Sequence, residues 1–337
     1  MRCVVGVDLG GTNVRAAALY ENGEPAGRPF SNPSRAQDGT EAILEQVAKT
    51  IQQAISSAET KPEAVGLAIP GHIDNEAGVV IWAPNFGHTL DGVFYHWENI
   101  PMRGPLSRHI DIPIVLANDA NAAALGEYRF GSGKNSAKCL VMFTVGTGIG
   151  GGVVLSPQSI DGKASGPLML VGGNKGGAEL GHAMILAGGL DCHAGSYGAI
   201  EAYCQRDSII ARAQHRLKRN YPSILNDLVE GDLSKVTPAL LTEAANRGDE
   251  LAIDVWTEVG TYLGYGIGTF INVFAPDVFA VGGQIAKAGE WLLAPARKAA
   301  RSVAIPSLYR DTTIVQAEQI EDAGMLGGAA LAFGSLA

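Results

Sequence analysis

The chain predicts an α/β protein built from two similar halves that face each other across a cleft. Three observations carry that prediction. Glycine occurs 44 times in 337 residues, apolar residues make up 46% and aromatics only 7%, a composition suited to many strands closed by tight turns. Short β-branched runs alternate with amphipathic or Ala-rich stretches, as in sheets covered by helices. The segment DLGGTNVRAAAL, from residue 8, also has a counterpart in TVGTGIGGGVVL, from residue 144. Both read strand, Gly/Thr turn, strand. Two unrelated hairpins in one sheet are the plainer alternative to a duplication.

The elements follow in order. Residues 3–7 are a wholly apolar run, a buried strand, and 14–20 are a second, with Gly-Gly-Thr turning the hairpin between them. Residues 37–58 place Ile43, Val47, Ile51 and Ile55 four apart, one face of an amphipathic helix. A strand over 64–69 ends at Pro70-Gly71, and a short one over 114–117 runs into Asn118-Asp119 and an Ala-rich helix. The pattern then restarts, with a strand over 138–143, a glycine-rich turn over 144–152 and a returning strand over 153–155. After residue 200 it turns helical, with 251–274 the longest candidate. Strands over 277–281, closed by Gly282-Gly283, and 312–315 precede a last helix over 323–336. The length suits two domains. They are expected at 1–117 with 323–337, a small N-terminal domain, and at 118–322, a large C-terminal one.

A net charge of -9 argues against nucleic acid, whose binding rests on Lys and Arg neutralising phosphates. Cys3, Cys139, Cys192 and Cys204 form no CxxC pair and no disulfide framework. The sequence opens MRCVVGVDLGG without the charged start, apolar stretch and cleavage site of a leader. No run approaches the ~20 apolar residues that span a bilayer. A reducing, cytoplasmic setting with no membrane partner is the expectation.

Asp8, Gly10, Gly11, Thr12 and Arg15 make the first chemical constellation. A glycine turn lets backbone N–H groups approach an anion with no Cβ in the way. Thr12 can add a hydroxyl, and Asp8 can hold Mg²⁺ through water as a hard oxygen ligand. A plain Gly-Gly hairpin turn explains the same residues equally well. TVGTGIGGG, with Thr144, Gly146, Thr147 and Gly148, is a second such turn and fits neither GxGxxG before a helix nor a P-loop. Gly282-Gly283 is a weaker third candidate, beside an adenine or ribose.

Asn118-Asp119 stands where a strand meets a helix. The pair reads first as a helix N-cap, and as chemistry only if the carboxylate faces the cleft. In GGAELGH, Glu179 and His182 are three apart and share a face if that stretch is helical. Such a pair suits a grip on vicinal hydroxyls. Glu-x-x-His is also a di-iron pattern, but that needs a second copy and further Glu residues. Glu201 is either a third polar contact or an exposed acid at a helix start.

Together these pieces resemble the ROK family of repressors and sugar kinases. The matching segments are DLGGTNVR at 8–15, AIPG at 68–71, NDANAAALGE at 118–127, TVGTGIGGG at 144–152, GGAELGH at 176–182 and VGGQI at 281–285. They stand in the family's order across nearly the whole chain. The resemblance implies a duplicated two-domain fold of the actin/hexokinase-like (ribonuclease H-like) class, with ATP and sugar meeting in the cleft. It implies Asp119 as general base, and Gly71, Asn118, Glu179, His182 and Glu201 on the sugar, with Asn85 a further sugar-side position. Asp8, Gly10, Gly11, Thr12, Gly146, Thr147 and Gly148 match its phosphate contacts. The expected reaction is ATP- and Mg²⁺-dependent phosphorylation of a hexose, first glucose to glucose 6-phosphate, an entry to glycolysis. Mannose, fructose and N-acetylglucosamine are alternative substrates, and a homodimer or higher homo-oligomer is implied by analogy.

One departure concerns a metal. Many family members hold a structural zinc with the GH histidine and three cysteines in a CxCGxxGCxE pattern. Here residues 192–201 read CHAGSYGAIE, so Cys192 remains but Ala194 and Ala199 replace the other two. A closed zinc site wants four ligands, and His193 and Cys204 are off the pattern. Structural zinc is therefore expected to be absent. The main rival reading is a non-catalytic sugar sensor. The family's repressors carry a helix-turn-helix ahead of the core, for which a motif starting at Asp8 leaves no room. Another kinase of the same superfold, for acetate or glycerol, is a third reading, since function lives in the site.

Overall fold

A computed structural model describes every residue except Asn135, His193 and Ala337. In chain order, β1 (Cys3–Leu9), β2 (Asn13–Tyr20) and β3 (Phe30–Pro33) lead to α1 (Thr40–Ser57). Next come β4 (Val65–Ile69), β5 (His72–Asp74), β6 (Val79–Leu90), β7 (Val93–Pro101), α2 (Arg103–Leu106), β8 (Ile114–Asn118) and α3 (Asp119–Phe130). The second round starts with β9 (Cys139–Val145), β10 (Ile149–Leu155) and β11 (Leu168–Met169). Helices α4 (Ile200–Cys204), α5 (Arg206–Lys218), α6 (Leu225–Leu228), α7 (Pro238–Asn246) and α8 (Glu250–Phe274) follow. The chain closes with β12 (Val278–Gly282), α9 (Glu290–Val303), α10 (Pro306–Arg310), β13 (Thr313–Gln316) and α11 (Ala323–Ser335).

Duplication is visible in the strand order. One sheet runs β3-β2-β1-β4-β8 and another β11-β10-β9-β12-β13, the same order counted from each half's first strand. In the first, β1 pairs antiparallel with β2 and parallel with β4; in the second, β12 pairs parallel with both β9 and β13. The glycine-rich turn of the second half is shorter than the sequence suggests. Strand β10 already starts at Ile149, so only residues 146–148 turn. A small third sheet, β5-β6-β7, has no counterpart in the second half. The sequence itself predicts no strand in this stretch.

The chain divides into two compact units, residues 1–137 with 152–178 and 321–337, and residues 138–151 with 179–320. Helix α3, which the sequence reading assigns to the large domain, falls in the first unit. In that unit α1 buries Ile43, Val47 and Ile51 against the sheet, with Ile55 half-buried at the edge of the same core. It starts at Thr40 rather than 37 because Gly39 has φ 96°, outside the helical region. On the opposite face α11 lies almost on the backbone. A Cβ at Gly6 would stand 2.0 Å from Met325 O, and one at Gly66 would stand 1.8 Å from Gly328 O. No residue but glycine permits that approach.

The second unit is organised round α8. Asp249 caps it by accepting from Ala252 N–H at 2.9 Å, and Ala275, at φ 45°, ends it ahead of Pro276. Gly260, Gly264 and Gly268 recur every fourth residue and form one stripe. Each would push a Cβ to within 2.3–2.8 Å of a carbonyl on α9. The stripe lets two helices meet nearly backbone to backbone, which strengthens dispersion contacts along their length. Among the described residues no helix is long and apolar enough to cross a membrane.

Candidate functional site

Each unit carries part of the predicted set. In the first, register places Asp8 opposite Arg15 across the β1–β2 hairpin, and the turn closes with Gly10 N–H donating to Asn13 O at 2.9 Å. A Cβ at Gly11 would meet nothing within 4 Å, so the tip is open, with Gly11 and Thr12 exposed. Gly11 is not required by crowding. Burial pushes the Asp8 carboxyl above the usual carboxylate range; Arg15 opposes this and Asp322 adds to it. Arg15 points elsewhere than the tip. Its guanidinium donates to Glu321 O at 2.7 Å and to Asp322 Oδ1 at 2.6 Å, fastening the start of α11. Gly324, in the first turn of that helix, would drive a Cβ to 2.3 Å from the Asp8 carboxyl carbon, so α11 forms the roof over Asp8.

Further along the same unit, the structure separates the two readings of Asn118-Asp119. Asn118 is the N-cap: its Oδ1 accepts from Asn121 N–H at 3.0 Å, while its Nδ2 donates to Gly71 O at 2.9 Å. Asp119 is the first helical residue, half-buried, with Oδ1 accepting from Ala120 N–H at 2.9 Å. The N-cap bond to Asn121 N–H is thus made by Asn118, and Asp119 adds only the bond to Ala120 N–H at the helix start. Gly71 has φ 106°, and a Cβ there would stand 2.2 Å from Trp82 O, so only glycine fits this turn. Asn85 sits exposed at the register shift between Ala83 and Gly87, where β6 bulges away from β7. Such bulges re-aim side chains. Buried Phe86, stacked on Trp97 at 5.0 Å, anchors it.

The second unit holds the other turn by side chains and backbone together. Gly146 N–H donates to Gly148 O, and Gly146 O accepts from Arg206 N–H, both at 2.9 Å. Thr144, one residue before the end of β9, is half-buried, Thr147 is exposed at the tip, and a Cβ at Gly146 would meet nothing within 4 Å. Glu201, in the first turn of α4, accepts from Ile149 N–H through Oε2 at 2.7 Å. The same oxygen would lie 2.7 Å from a Cβ at Gly148. Glu201 is therefore a brace of the glycine turn, a role that sequence spacing did not suggest. Gly283, at φ 81°, would place a Cβ 2.3 Å from Val145 O, which sets β12 beside the same turn. Gly282, the last residue of β12, instead packs against Met142.

GGAELGH is not an amphipathic helix. Leu180–His182 form one 3₁₀ turn, closed by His182 N–H donating to Glu179 O at 3.2 Å, and Glu179 is exposed at its start. A Cβ at Gly181 would stand 2.1 Å from Ile149 O, so this turn packs on the same hairpin residue that Glu201 grips. His182 Nδ1 is buried and has no hydrogen-bond partner among the described residues. A buried polar atom left unpaired costs free energy, and a bound polar group can supply the missing partner.

The described residues of the surrounding loop do not make a zinc site. Cys192 Sγ lies 3.0 Å from Ser196 Oγ. Burial raises its thiol, but hydrogen bonds to Ser196, to the Ala194 and Ser196 backbone and to His182 outweigh it, and the thiol comes down to about 7. Ala199 is fully buried as the N-cap of α4, while Cys204, also buried, directs its thiol to Val259 O. His193 lies outside the described residues. Among the described residues no three His, Cys, Asp or Glu side chains gather as a metal site.

The sequence model of the ROK family matches residues 4–334. The glucokinase of Thermotoga maritima is 32% identical over 97% of this chain and 96% of its own. A ROK family glucokinase of Streptomyces griseus, solved with glucose and AMPPNP, superposes with a TM-score of 0.80 at 30% identity, covering 98% of this chain and 99% of that one. The DNA-binding transcriptional repressor Mlc of Escherichia coli is 27% identical over 86% of this chain and 66% of its own.

Proposed function

This chain belongs to the ROK family, and we propose that it is an ATP-dependent hexose kinase that converts glucose to glucose 6-phosphate. The observation that carries the reading is the division of labour at the start of α3. Asn118 caps the helix and reaches Gly71, and the half-buried Asp119 carboxylate stands directly beside it, with Oδ1 on Ala120 N–H.

In this reading Asp119 accepts the proton of the attacking sugar hydroxyl, worth ~10²–10⁴ in rate. Gly71, Asn118, Glu179 and His182 orient the sugar, the orphan His182 Nδ1 being satisfied by a hydroxyl. Asn85 would extend the same set. The open turns at Gly10–Thr12 and Gly146–Gly148 would receive the phosphates at their tips, the Gly10 and Gly146 N–H groups holding the turns closed, with Thr144 and Thr147 adding hydroxyls and Gly282-Gly283 beside the nucleoside. Glu201 holds the second turn in shape and is proposed to reach the sugar with its remaining oxygen. Mg²⁺ arriving with ATP would be held on the Asp8 side and supplies charge neutralisation there. Arg15 contributes by fixing α11 over Asp8. Structural zinc is proposed to be absent; one stoichiometric zinc per chain on metal analysis would overturn that.

The test is ADP formation with ATP against glucose, mannose, fructose and N-acetylglucosamine, together with calorimetric sugar binding. Turnover with glucose as the preferred substrate is expected. Sugar binding without ADP from any of the four would replace the kinase with a sugar sensor.

A further inference from the structure

We propose that His72 is a positioning residue that sets sugar affinity by bracing the loop 172–178, which delivers Glu179. The inference rests on the kinase reading, in which Asn118 and Glu179 contact the sugar. Two contacts fix the Gly71-His72 pair within the first unit. Gly71 O accepts from Asn118 Nδ2 at 2.9 Å, next to Asp119 in sequence. One residue on, the His72 imidazole lies against Gly176. A Cβ built on Gly176 would stand 2.8 Å from Cε1, 2.9 Å from Nδ1 and 3.0 Å from Nε2. Near-equal distances to three ring atoms mean that Gly176 faces the flat of the ring, where any side chain would collide.

The ring is itself backed. His72 pairs with Trp82 across β5 and β6, their centroids 5.4 Å apart, and Trp82 meets His96 edge-on at 5.9 Å. The loop on the other side needs such a support. Lys175 and Ala178 have φ 63° and 66°, a left-handed conformation that side chains resist. Within it Gly177 N–H donates to Val171 O at 3.0 Å, Gly176 N–H to Asn174 Oδ1 at 3.2 Å and Lys175 N–H to Gly172 O at 3.4 Å. Ala178 directly precedes Glu179. His72 therefore links the strand pinned to the cap of α3 with the loop that leads into a sugar contact. Without the ring the loop populates more conformations, and sugar binding must select among them, which weakens apparent affinity and leaves the chemical step alone.

The test uses the full chain and the variants His72→Ala, Gly176→Ala, their double mutant and His72→Phe, which keeps a flat ring. Glucose Kd by calorimetry and the kinetic constants are measured for each. A rise of about tenfold in glucose Kd and KM is expected for either alanine variant, with kcat and the KM for ATP within about twofold. The double mutant should be no worse than either single, since both remove one contact, and Phe should restore most of the affinity. An unchanged glucose Kd in both alanine variants, or fully additive effects, would overturn the proposal. So would a lowered Tm at unaltered Kd, which assigns the ring to the fold alone. If His72→Ala does not fold, Gly176→Ala carries the decision with the ring intact. If the wild type binds glucose but transfers no phosphoryl group, the kinase reading fails while the Kd series still decides the role of His72. If it binds no sugar, both fall.

Discussion

The two glycine turns share one pattern and are held by opposite means. At the first, Asp8 lies beneath the turn under the roof of α11, and Arg15 spends its charge on the entry of that helix. The tip of this turn, Gly11 and Thr12, is exposed. At the second, the turn is gripped directly: Glu201 takes Ile149 N–H and the Arg206 backbone takes Gly146 O. A duplicated scaffold has thus kept its strand order while one copy supports its turn from below and the other from the side. The difference teaches where substitutions should be felt. Damage near the first turn should act through burial and charge, damage near the second through geometry.

The largest effect should come from neither turn. Asp119→Asn removes the proposed base and leaves the cap to Asn118, so α3 keeps its N-terminal bond. Turnover should fall ~10²–10⁴-fold with glucose Kd within a few-fold. Near wild-type turnover would return the carboxylate to a structural role and leave the comparison of turns without a shared reaction.

Next in size is Glu201→Ala, which sharpens the comparison directly. It strips a carboxylate from the buried Ile149 N–H, a loss of about 1–3 kcal/mol. If the second turn is held by that bond, KM for ATP should rise ~10-fold or more, along with the sugar KM. Glu201→Gln, which can still accept from Ile149 N–H, should recover the ATP term more fully than the sugar term. Equal recovery of both would deny Glu201 its two separate tasks.

Much of this architecture was legible in the residues. The apolar runs before each Gly/Thr turn fixed β1 and β9, and the four-residue spacing of Ile43, Val47 and Ile51 found α1, because burial imposes those periods. The β6–β7 hairpin was not legible. Its outer residues Leu90, Val93 and Tyr95 are exposed, so the strands lack the polar–apolar alternation that would mark them. Whether GGAELGH is helical was left open by its spacing; it forms one 3₁₀ turn, with Gly181 set against Ile149 O, a tertiary demand that local pattern does not carry. Likewise the spacing that singled out Arg15 could not show that Glu321 and Asp322 return to claim it. That contact joins residues more than 300 positions apart. Local pattern finds elements; partners across the chain decide which side chains stay available.

The smallest predicted effect tests the first turn. Burial raises the Asp8 carboxyl above its ordinary range, so in the unfolded chain it ionises at lower pH than in the native one. Between the ordinary carboxylate range and the raised native value, the native state holds more protons than the unfolded state. Stability then falls as pH rises through that window and stays lower above it. Asp8→Asn removes the titration, so the variant should match the wild type in acid and exceed it at neutral pH. A gain of about 1 °C in Tm corresponds to under ~1 kcal/mol in a chain of this size. Addition of Mg²⁺ and ATP should reverse the ranking, because a cation beside the carboxylate offsets the burial that made it costly. Thermal melts at pH 4 and pH 8, with and without Mg²⁺-ATP, read all four states. A variant less stable than the wild type at pH 8 without nucleotide would show that Arg15 stabilises the Asp8 charge more than burial opposes it, and the first turn would then resemble the second.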